Sequence, residues 1–442
     1  MYNTLLDLGL QLKDAIKNDG IYNLHRELKR EQFLSNAAIQ SIQEIRLKAL
    51  LKRAYNDTPY YKALLDNQDI SVSDISLGNL AKIPLLTREK LQNNFENILC
   101  RGAKGIHKNS SGGSTGNPVN FYQDLEYRKF SDACELLFYD WMGVSQGDKK
   151  AILWGSDRDL KAASRYERIM RIIYRIKILD SFTMTDEKIK SFLEEINEFR
   201  PRYIQGYASS LHWVARYILR DKPLVFKPRA IRSAAEMLYE NQRHDIEKAF
   251  GAKVYNFYGS REVNNLAAEC ASHEGLHILE SGRIIEIVDN DGNPVSDGTP
   301  GKIAVTDLTN LSFPFIRYLN GDIATIKSSP CSCGRGYRLL ENILGRSSDI
   351  IIVNNKQIHG EYFTHLFYNR PEIKQFQLIQ EDSNNIRILI VSDNENFDFS
   401  ELKHKIHEKT GGNVNLAFEL VADIPPLSTG KYRFTISKIA GK

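Results

Sequence analysis

The sequence predicts an α/β protein, with a large N-terminal domain of mainly parallel sheets plus an antiparallel, barrel-like part, and a small α+β C-terminal domain. Two observations carry this prediction. Over residues 120–230, short apolar runs such as 151–155 and 203–206 alternate with helical stretches, which is typical of a parallel sheet covered by helices. From residue 283 the chain changes to apolar segments separated by turns such as 290–293, which favour antiparallel hairpins.

The expected elements follow in order along the chain. Residues 1–100 predict helices, because apolar residues recur there at helical spacing. Residues 83–87 predict an extended segment, with Thr87 capping a helix that begins near Arg88. The remaining expected elements are a helix over 209–219, strands over 350–353, 376–380, 386–391 and 417–421, and helices beginning at Gly360 and Glu401.

Composition and charge exclude several classes of protein. The 442 residues carry 59 basic and 55 acidic side chains, a net charge of +4, which argues against nucleic-acid binding. No apolar run reaches the ~18 residues of a membrane helix, so no membrane span is expected. The amphipathic residues 1–13 could lie on a membrane, but packing on the body of the protein is favoured. Five cysteines, an odd count, and no signal peptide predict a reducing, cytoplasmic location.

The stretch 110–118 is the strongest local signal. It contains three glycines and four hydroxyl side chains and ends in a proline. Glycines let the backbone approach a ligand closely, so such a loop can lay amides and hydroxyls against phosphate oxygens. It is not a Walker loop, because no Gly-Lys-Ser/Thr follows. A plain surface loop is the alternative.

Five further segments follow this loop, and each is weak alone. In chain order they are Ala234-Ala235-Glu236, Tyr258-Gly259-Ser260-Arg261-Glu262, Arg317-Tyr318-Leu319-Asn320-Gly321-Asp322, Gly345-Arg346-Ser347-Ser348-Asp349 and Leu427-Ser428-Thr429-Gly430-Lys431. Together with the loop, in this order, they resemble the motif series of adenylate-forming acyl and aryl ligases. The best match is the branch of phenylacetate–CoA ligase and its capsular-polysaccharide relatives.

Two N-terminal stretches support that branch. Residues 53–61 and 83–87 resemble its N-terminal signature, so the resemblance runs from about residue 45 to 435. The loop departs from the pattern at Asn117, where lysine is common, and this removes one cation from the expected phosphate site.

The resemblance implies an ATP-dependent ligase that makes an acyl-adenylate and pyrophosphate from a carboxylate and then transfers the acyl group to coenzyme A. The alternative acceptor is a carrier-protein thiol or an amine on a sugar precursor. A non-catalytic nucleotide-binding subunit and a metal-dependent hydrolase are the alternatives from other classes. ATP, Mg²⁺ and coenzyme A are the implied cofactors, and the resemblance leaves a homodimer open.

The resemblance also implies the residues at the nucleotide. Ser110, Ser114 and Thr115, with the amides between them, would hold the β- and γ-phosphates. Tyr258 would stack near the adenine, and Asp322 would accept hydrogen bonds from both ribose hydroxyls. The remaining residues expected there are Ser111, Gly112, Gly113, Gly116, Ala235, Glu236, Asn256, Gly259, Ser260 and Arg346, the last at the ribose or a phosphate.

Three residues are implied to act in catalysis or domain motion. Glu262 would help to hold Mg²⁺, which prefers oxygen ligands. Lys431 would bridge the carboxylate and the α-phosphate during adenylation. Asp349 would be the hinge, so that residues 1–348 form the adenylation domain and residues 349–442 a small mobile lid domain.

A second chemical signal is a set of cysteines and histidines. Cys331 and Cys333 lie one residue apart, and Cys270 lies upstream with His273 and His277 close behind it. Three thiolates and an imidazole can form a closed tetrahedral zinc site, which is structural because no position stays open. His277 is favoured as the fourth ligand over His273, because related ligases have a similar Leu-His-Ile pattern. Unligated, buried thiols are the alternative.

The pocket for the acid is predicted least sharply. Trp154, Phe182, Tyr207 and Asn256 lie near expected strand ends, where such sheets bind ligands. The sequence leaves open whether the acid is aromatic, an amino acid, a hydroxy acid or a sugar acid.

Overall fold

The computed structural model divides into two compact units, residues 1–320 with 324–342, and residues 321–323 with 343–442. The predicted domain boundary and its hinge residue, Asp349, lie outside the described residues. The structure describes residues 2–17, 19–111, 119–154, 165–180, 186–221, 223–346, 350–353, 356–359, 362–363, 366–367, 370, 372–394, 397–412, 414–425 and 433–439.

The helices lie mostly in the first unit. The α-helices of the described residues are α1 (Tyr2–Lys17), α2 (Ile21–Glu31), α3 (Asn36–Asp57), α4 (Pro59–Asn67), α5 (Arg88–Asn93), α6 (Phe95–Ile98), α7 (Leu125–Met142), α8 (Arg165–Ile173), α9 (Asp186–Phe199), α10 (Ala208–Arg220), α11 (Glu240–Phe250) and α12 (Ser400–Thr410). Short 3₁₀ helices occupy Val72–Asp74 and Leu77–Lys82.

The strands form one large sheet and smaller ones. They are β1 (His107–Ser110), β2 (Asn120–Gln123), β3 (Lys150–Trp154), β4 (Ile176–Asp180), β5 (Tyr203–Gly206), β6 (Ala230–Ala234), β7 (Val254–Tyr258), β8 (Ala267–Glu269), β9 (Leu276–Ile278), β10 (Arg283–Val288), β11 (Gly301–Asp307), β12 (Tyr318–Lys327), β13 (Leu339–Arg346), β14 (Ile350–Val353), β15 (Lys356–His359), β16 (Ile373–Gln380), β17 (Asn385–Ser392), β18 (Asn415–Leu420) and β19 (Thr435–Ser437).

The large sheet confirms the predicted α/β class. Its order in the described residues is β10-β11-β12-β13-β9-β8-β7-β6-β5-β3-β4. Strands β4, β3, β5, β6 and β7 are parallel to their neighbours in this group. From β7 onward the pairings to β8 and β9 are antiparallel, as is the β10–β11 hairpin. The antiparallel strands therefore continue the parallel sheet.

Helices cover both faces of the parallel strands, and the alternation of side chains assigns each residue to a face. On one face, Tyr203 and Phe257 pack with Phe138 and Trp141 of α7. On the other face, Leu153, Ile204 and Ile231 pack against apolar side chains of α9, α10 and α11. Strands that are buried on both faces explain the near-continuous apolar runs in this part of the sequence.

The N-terminal helices begin at side-chain caps. The Thr58 hydroxyl accepts a hydrogen bond from Tyr61 N at 3.2 Å, and the Thr87 hydroxyl accepts one from Lys90 N at 3.2 Å. These bonds satisfy amides that the first helical turn leaves without partners. The predicted cap at Thr87 is therefore confirmed, with α5 beginning at Arg88 as expected.

Helix α1 contacts the body through polar side chains. The Asp14 carboxylate accepts a bond from Ile21 N at 3.0 Å, and Asn3 donates to Asp148 at 2.7 Å. The outer face of the helix carries exposed apolar side chains, of which Leu12 is 62 % exposed. No helix among the described residues combines the length and the apolarity that crossing a bilayer requires.

The second unit is a small α+β domain. Its sheet has the order β18-β17-β16-β19, and β14 and β15 form a separate antiparallel pair. Phe363, Phe376, Ile388 and Leu402 lie in its core. The four predicted strands are present, and α12 begins within one residue of the predicted start. The helix expected from Gly360 begins outside the described residues.

Candidate active site

The predicted phosphate loop joins the two strands of a hairpin. Strands β1 and β2 pair antiparallel, with Ser110 opposite Asn120. Beyond them, Ser111 N donates to Val119 O at 2.8 Å, and Val119 N donates to the Ser111 hydroxyl at 2.9 Å. These bonds close the neck of the loop, so Ser111 has a structural role there. Five predicted phosphate contacts lie outside the described residues: Gly112, Gly113, Ser114, Thr115 and Gly116.

The segment that follows β7 forms a tight turn that carries Glu262. Ser260 N donates to Val263 O at 3.0 Å, and Val263 N donates to the Ser260 hydroxyl at 3.1 Å. A Cβ atom at Gly259 would lie 2.9 Å from Asn265 N, so a larger residue would push this backbone apart. Glu262 is only 7 % exposed. Its carboxylate is therefore held on a short, well-braced loop.

Side chains from two other elements hold this turn against α7 and the hairpin that bears the phosphate loop. The Tyr127 hydroxyl donates to Asn264 Oδ1 at 2.7 Å and accepts from Asn264 N at 2.9 Å. Gln123, at the end of β2, donates to Arg261 O at 3.1 Å. The turn that bears Glu262 and the hairpin that bears the phosphate loop are thus directly connected. None of Gln123, Tyr127 and Asn264 belongs to a motif that the sequence pointed out.

The segment after β6 has a strained backbone. Ala235 has a φ of 68°, in the left-handed region that alanine rarely adopts. Such strain costs about 1–2 kcal/mol and persists where surrounding structure enforces it, often at functional sites. The turn directs the Glu236 carboxylate to Ser209 N, at 2.9 Å, in the first turn of α10. Glu236 therefore stabilises the N-terminus of that helix, a role that its sequence neighbourhood did not indicate.

Tyr258 and β12 lie next to each other. Asn320 donates a hydrogen bond from its side chain to the Tyr258 hydroxyl at 2.7 Å. This contact brings together two of the predicted motifs, although 62 residues separate them in sequence. Asp322, the predicted ribose ligand, lies two residues further along β12.

Arg317, which begins the β12 motif, is a buried structural residue. Its guanidinium donates to Ile83 O at 2.8 Å and to Gly292 O at 2.6 Å, and its Nε lies 3.0 Å from the Glu286 carboxylate. The backbone nearby bonds to Leu86 in both directions, at 3.1 and 3.0 Å. The N-terminal segment 83–87 therefore packs on the start of the β12 motif.

The four predicted metal ligands come together in the first unit. Cys270, His277, Cys331 and Cys333 place their ligand atoms within 4.8 Å of one another. The Cys270 and Cys331 sulfurs are 3.7 Å apart, and Cys333 Sγ lies 3.3 Å from His277 Nε2. For a tetrahedral zinc with Zn–S bonds of about 2.3 Å, two sulfurs are expected about 3.8 Å apart. The cluster therefore fits zinc in both ligand type and spacing.

The surroundings of His277 favour metal binding through Nε2. Its Nδ1 lies 3.3 Å from Tyr337 O, a carbonyl that can only accept, so the proton belongs on Nδ1. Burial lowers the pKa of His277 to about 4, and the ring is neutral at pH 7 as a ligand must be. His273 instead lies 3.2 Å from Glu269, outside the cluster. Of the two histidines, only His277 lies among the sulfurs.

The cluster lies at the other end of β7 from Glu262. Strand β8 runs antiparallel to β7, with Ala267 opposite Tyr258, so Cys270 lies towards the start of β7. Glu262 follows the end of β7. A metal bound by the cluster would link the β8–β9 and β12–β13 connections, far from the turn that carries Glu262.

The predicted acid-pocket residues separate into two groups. The Trp154 ring stacks on Tyr207, with the ring centroids 4.5 Å apart, at the carboxyl ends of β3 and β5. Asn256 lies on the opposite face of the sheet, because it alternates with Tyr255 and Phe257, which pack with α7. Asn256 is therefore not beside the Trp154–Tyr207 pair. Phe182 lies outside the described residues.

Two further predicted residues cannot be placed. Lys431 and Asp349 lie outside the described residues, and Arg346 is described only as the last residue of strand β13. Their roles stay predictions.

Known proteins resemble this chain along its length. Residues 350–438 match the family described as the CapK C-terminal domain. Protein CapK of Staphylococcus aureus is 26 % identical, over 98 % of this chain and 97 % of that protein. The phenylacetate-coenzyme A ligase of Thermus thermophilus is 24 % identical, over 77 % of each chain. A solved structure of a 2-hydroxyisobutyryl-CoA ligase in its postadenylation state shares the fold, with a TM-score of 0.74 over 93 % of this chain and 92 % of that one, at 19 % identity.

These relatives, the shared fold and the ordered motifs agree. The chain is therefore similar to CapK and to the phenylacetate–coenzyme A ligases, and it has the fold of adenylate-forming ligases.

Proposed function

We propose that this protein is an ATP-dependent ligase that activates a carboxylic acid as an acyl-adenylate and transfers the acyl group to coenzyme A. In the first step a carboxylate oxygen attacks the α-phosphorus of ATP and pyrophosphate leaves. In the second step the thiol sulfur attacks the acyl carbon, its proton is lost, and AMP leaves. The likeness to phenylacetate-coenzyme A ligases over about three quarters of the chain supports this activity.

The observation that carries the proposal is a set of hydrogen bonds that connects the hairpin of the phosphate loop, the Glu262 turn, and the pair formed by Tyr258 and Asn320. The hairpin that bears the phosphate loop is bonded to the Glu262 turn through Gln123 and Arg261. Tyr258, which precedes that turn, is bonded to Asn320 of the motif that bears Asp322. Segments of the three motifs are thus connected by hydrogen bonds within the first unit. Positioning of this kind dominates catalysis of reactions at phosphorus.

Glu262 is proposed to hold the magnesium ion that accompanies ATP. The carboxylate is largely buried, and no described lysine or arginine pairs with it. Buried carboxylates are rarely unpaired, so a cation is the expected partner. Magnesium commonly takes one or two carboxylates together with phosphate oxygens and water. When bound, the ion would neutralise the β- and γ-phosphates.

Lys431 and Asp349 are proposed to act in the two half-reactions. The Lys431 ammonium would meet the charge that develops between the carboxylate and the α-phosphate. Rotation of the small domain about Asp349 would then remove Lys431 before thioester formation. Support for these roles comes from motif order within the family.

We further propose that the cluster of Cys270, His277, Cys331 and Cys333 holds a structural zinc ion. All four ligands come from the protein, so no position stays open for a substrate. The cluster would fix two loops rather than take part in the reaction.

The experiment that tests the proposal is an acid-dependent ATP–pyrophosphate exchange assay over a panel of carboxylic acids. At least one acid is expected to stimulate the exchange. When coenzyme A is then added, the protein is expected to form AMP and thioester in equal amounts. A Glu262→Gln variant should lose most exchange, whereas Glu240→Gln, an exposed carboxylate on α11, should keep it. A panel that gives no exchange, with no binding of ATP by calorimetry, would contradict the proposal.

The acceptor has a second candidate, an amine on a sugar precursor. Protein CapK matches 98 % of this chain, whereas the phenylacetate-coenzyme A ligase of Thermus thermophilus matches 77 % of it. If exchange occurs but coenzyme A does not raise AMP formation, amino sugars should be tried as acceptors with mass spectrometry for an amide product.

A further inference from the structure

Partly exposed side chains lie on the face of the parallel strands towards α7, in the carboxyl halves of the strands; we call the space between them and α7 the α7 groove. On the sheet face towards α7, Ile152, Gln205 and Ala234 are partly exposed. On the opposite face of the same strands, Leu153 and Ile231 are fully buried. Central strands of a sheet are normally covered on both faces. The contrast therefore indicates a gap on the α7 side, next to the Trp154–Tyr207 pair.

The floor of this groove is charged. Arg232 of β6 lies in register with Gln205 of β5, and Gln205 with Ile152 of β3, so these side chains form one row. The Arg232 guanidinium pairs with Glu135 of α7 and lies 3.9 Å from the centroid of the Phe257 ring. Arg232 is only 8 % exposed, and its Nε has no hydrogen-bond partner among the described residues.

The carboxamide of Gln205 is held in a fixed orientation. Its Oε1 accepts a hydrogen bond from the Tyr203 hydroxyl at 2.7 Å. This bond leaves the amide nitrogen as the donor that a ligand can use.

Helix α7 directs a second carboxylate over the strand ends. Tyr139 packs on Tyr203, with the ring centroids 5.7 Å apart, near the start of β5, and Glu135 meets Arg232 in the middle of β6. The helix therefore runs against the strand direction. Asp132 lies about 4.5 Å further along the helix axis towards the carboxyl ends, on the same side, and is exposed.

The charges in the groove decide what it can accept. Arg232 and Glu135 neutralise each other, and Asp132 adds a carboxylate on which the charge of Arg128, one turn earlier on α7, also acts. A purely apolar tail would remove water from these polar groups without replacing its hydrogen bonds. The lost binding free energy would select against such a tail. A tail that donates a hydrogen bond could donate to the Asp132 carboxylate, and also to the Glu135 carboxylate, which already accepts from Arg232.

We propose that the α7 groove is the acid pocket and selects a short carboxylic acid whose tail donates hydrogen bonds, through a hydroxyl or an ammonium group, to Asp132. This rests on the proposed acyl-adenylate chemistry, because the Trp154–Tyr207 end of the groove must receive the carboxylate. The substrate then differs from an aromatic acid such as phenylacetate in having a polar tail.

The test measures binding without catalysis. Acyl-sulfamoyl adenosines, which imitate the acyl-adenylate but do not react, are prepared with tails of three to five carbons that are unsubstituted, ω-hydroxylated or ω-aminated. Calorimetry gives Kd for each compound with the full-length protein. The best polar compound is expected to bind at least ~10-fold more tightly than its unsubstituted partner, or about 1.4 kcal/mol.

Variants connect the preference to the groove. Asp132→Leu should abolish the preference, whereas Glu126→Leu, an exposed carboxylate in the first turn of α7, should leave it unchanged. Asp132→Asn keeps an acceptor but no charge, so it should weaken the amino compound more than the hydroxy compound if ammonium is the natural group. Equal or tighter binding of the unsubstituted compounds, or a preference that survives Asp132→Leu, would overturn the inference alone. Failure of every compound to bind would overturn the proposed function as well.

Discussion

Replacing Cys331 by serine should remove the proposed zinc ion and destabilise the protein. Serine keeps the size of the side chain but is a poor zinc ligand, so three protein ligands remain. Cys134→Ser is the matched control, because Cys134 is also a buried thiol but belongs to helix α7, outside the metal cluster. The control measures the cost of burying a hydroxyl in place of a thiol.

The expected magnitude follows from the loop that the metal closes. Cys270 and Cys331 are 61 residues apart in sequence, and the metal would link them. The chain-entropy model for a covalent cross-link over such a loop gives about 4 kcal/mol. Metal coordination imposes a similar constraint on the unfolded chain. Cys331→Ser is therefore expected to lower the free energy of unfolding by up to about 4 kcal/mol more than Cys134→Ser does.

The assay combines metal analysis with unfolding in urea. The native protein and Cys134→Ser should each contain one zinc per chain, and Cys331→Ser should contain little. ATP–pyrophosphate exchange by the variant, measured below its unfolding temperature, should change by less than about 3-fold, because Cys270 and Glu262 lie towards opposite ends of β7. Native protein without zinc, or equal losses of stability in the two variants, would refute the reasoning.

Three further predictions concern the nucleotide, the lid and a buried lysine. Asp322→Ala should raise the KM for ATP by roughly 10- to 100-fold, since a charge-assisted bond contributes about 1.5–3 kcal/mol; an unchanged KM would make Asp322 a turn residue only. Lys431→Ala should slow adenylation ~100-fold or more and leave thioester formation from synthetic acyl-adenylate nearly intact; equal losses in both steps would contradict the two-arrangement mechanism. Burial lowers the pKa of Lys150 from 10.5 to about 8, so between these values the unfolded chain binds more protons and the native state gains stability as the pH rises. Lys150→Met should therefore have a higher free energy of unfolding than the native protein at pH 7, by at most about 3 kcal/mol. In urea unfolding at pH 10.5 this difference should be lost. A pH-independent difference would show that burial does not disfavour the charged lysine.

Prediction from the sequence succeeded where the signal was local. The alternation of apolar runs and helices gave the parallel part of the sheet, and turn residues gave the β10–β11 hairpin. The cap at Thr87 was also predicted, because the hydrogen bond involved spans three residues. Strands β15 and β19 were not predicted, because they are short and form only by pairing with β14 and β16.

Prediction of the site was less complete. The four ligands Cys270, His277, Cys331 and Cys333 were all predicted, and the structure shows that their ligand atoms lie within 4.8 Å of one another. Glu236 was expected at the nucleotide, but its bond to Ser209 depends on the left-handed conformation of Ala235. The sequence does not indicate that an alanine adopts a left-handed backbone conformation, because the surrounding fold enforces that conformation.

The sequence alone determined the kinds of chemistry available and their order along the chain. Local features, such as a glycine-rich loop, a carboxylate in a tight turn and a Cys-x-Cys pair, each lie within a few consecutive residues. They can therefore be recognised in the sequence without knowing which distant residues they contact. The tertiary structure decided which of them meet. Asn320 reaches Tyr258 across 62 residues, and Arg232 reaches Glu135 across 97. Such contacts follow from strand order, register and the face on which each side chain lies, and a pairing over that distance leaves no periodic trace in the sequence.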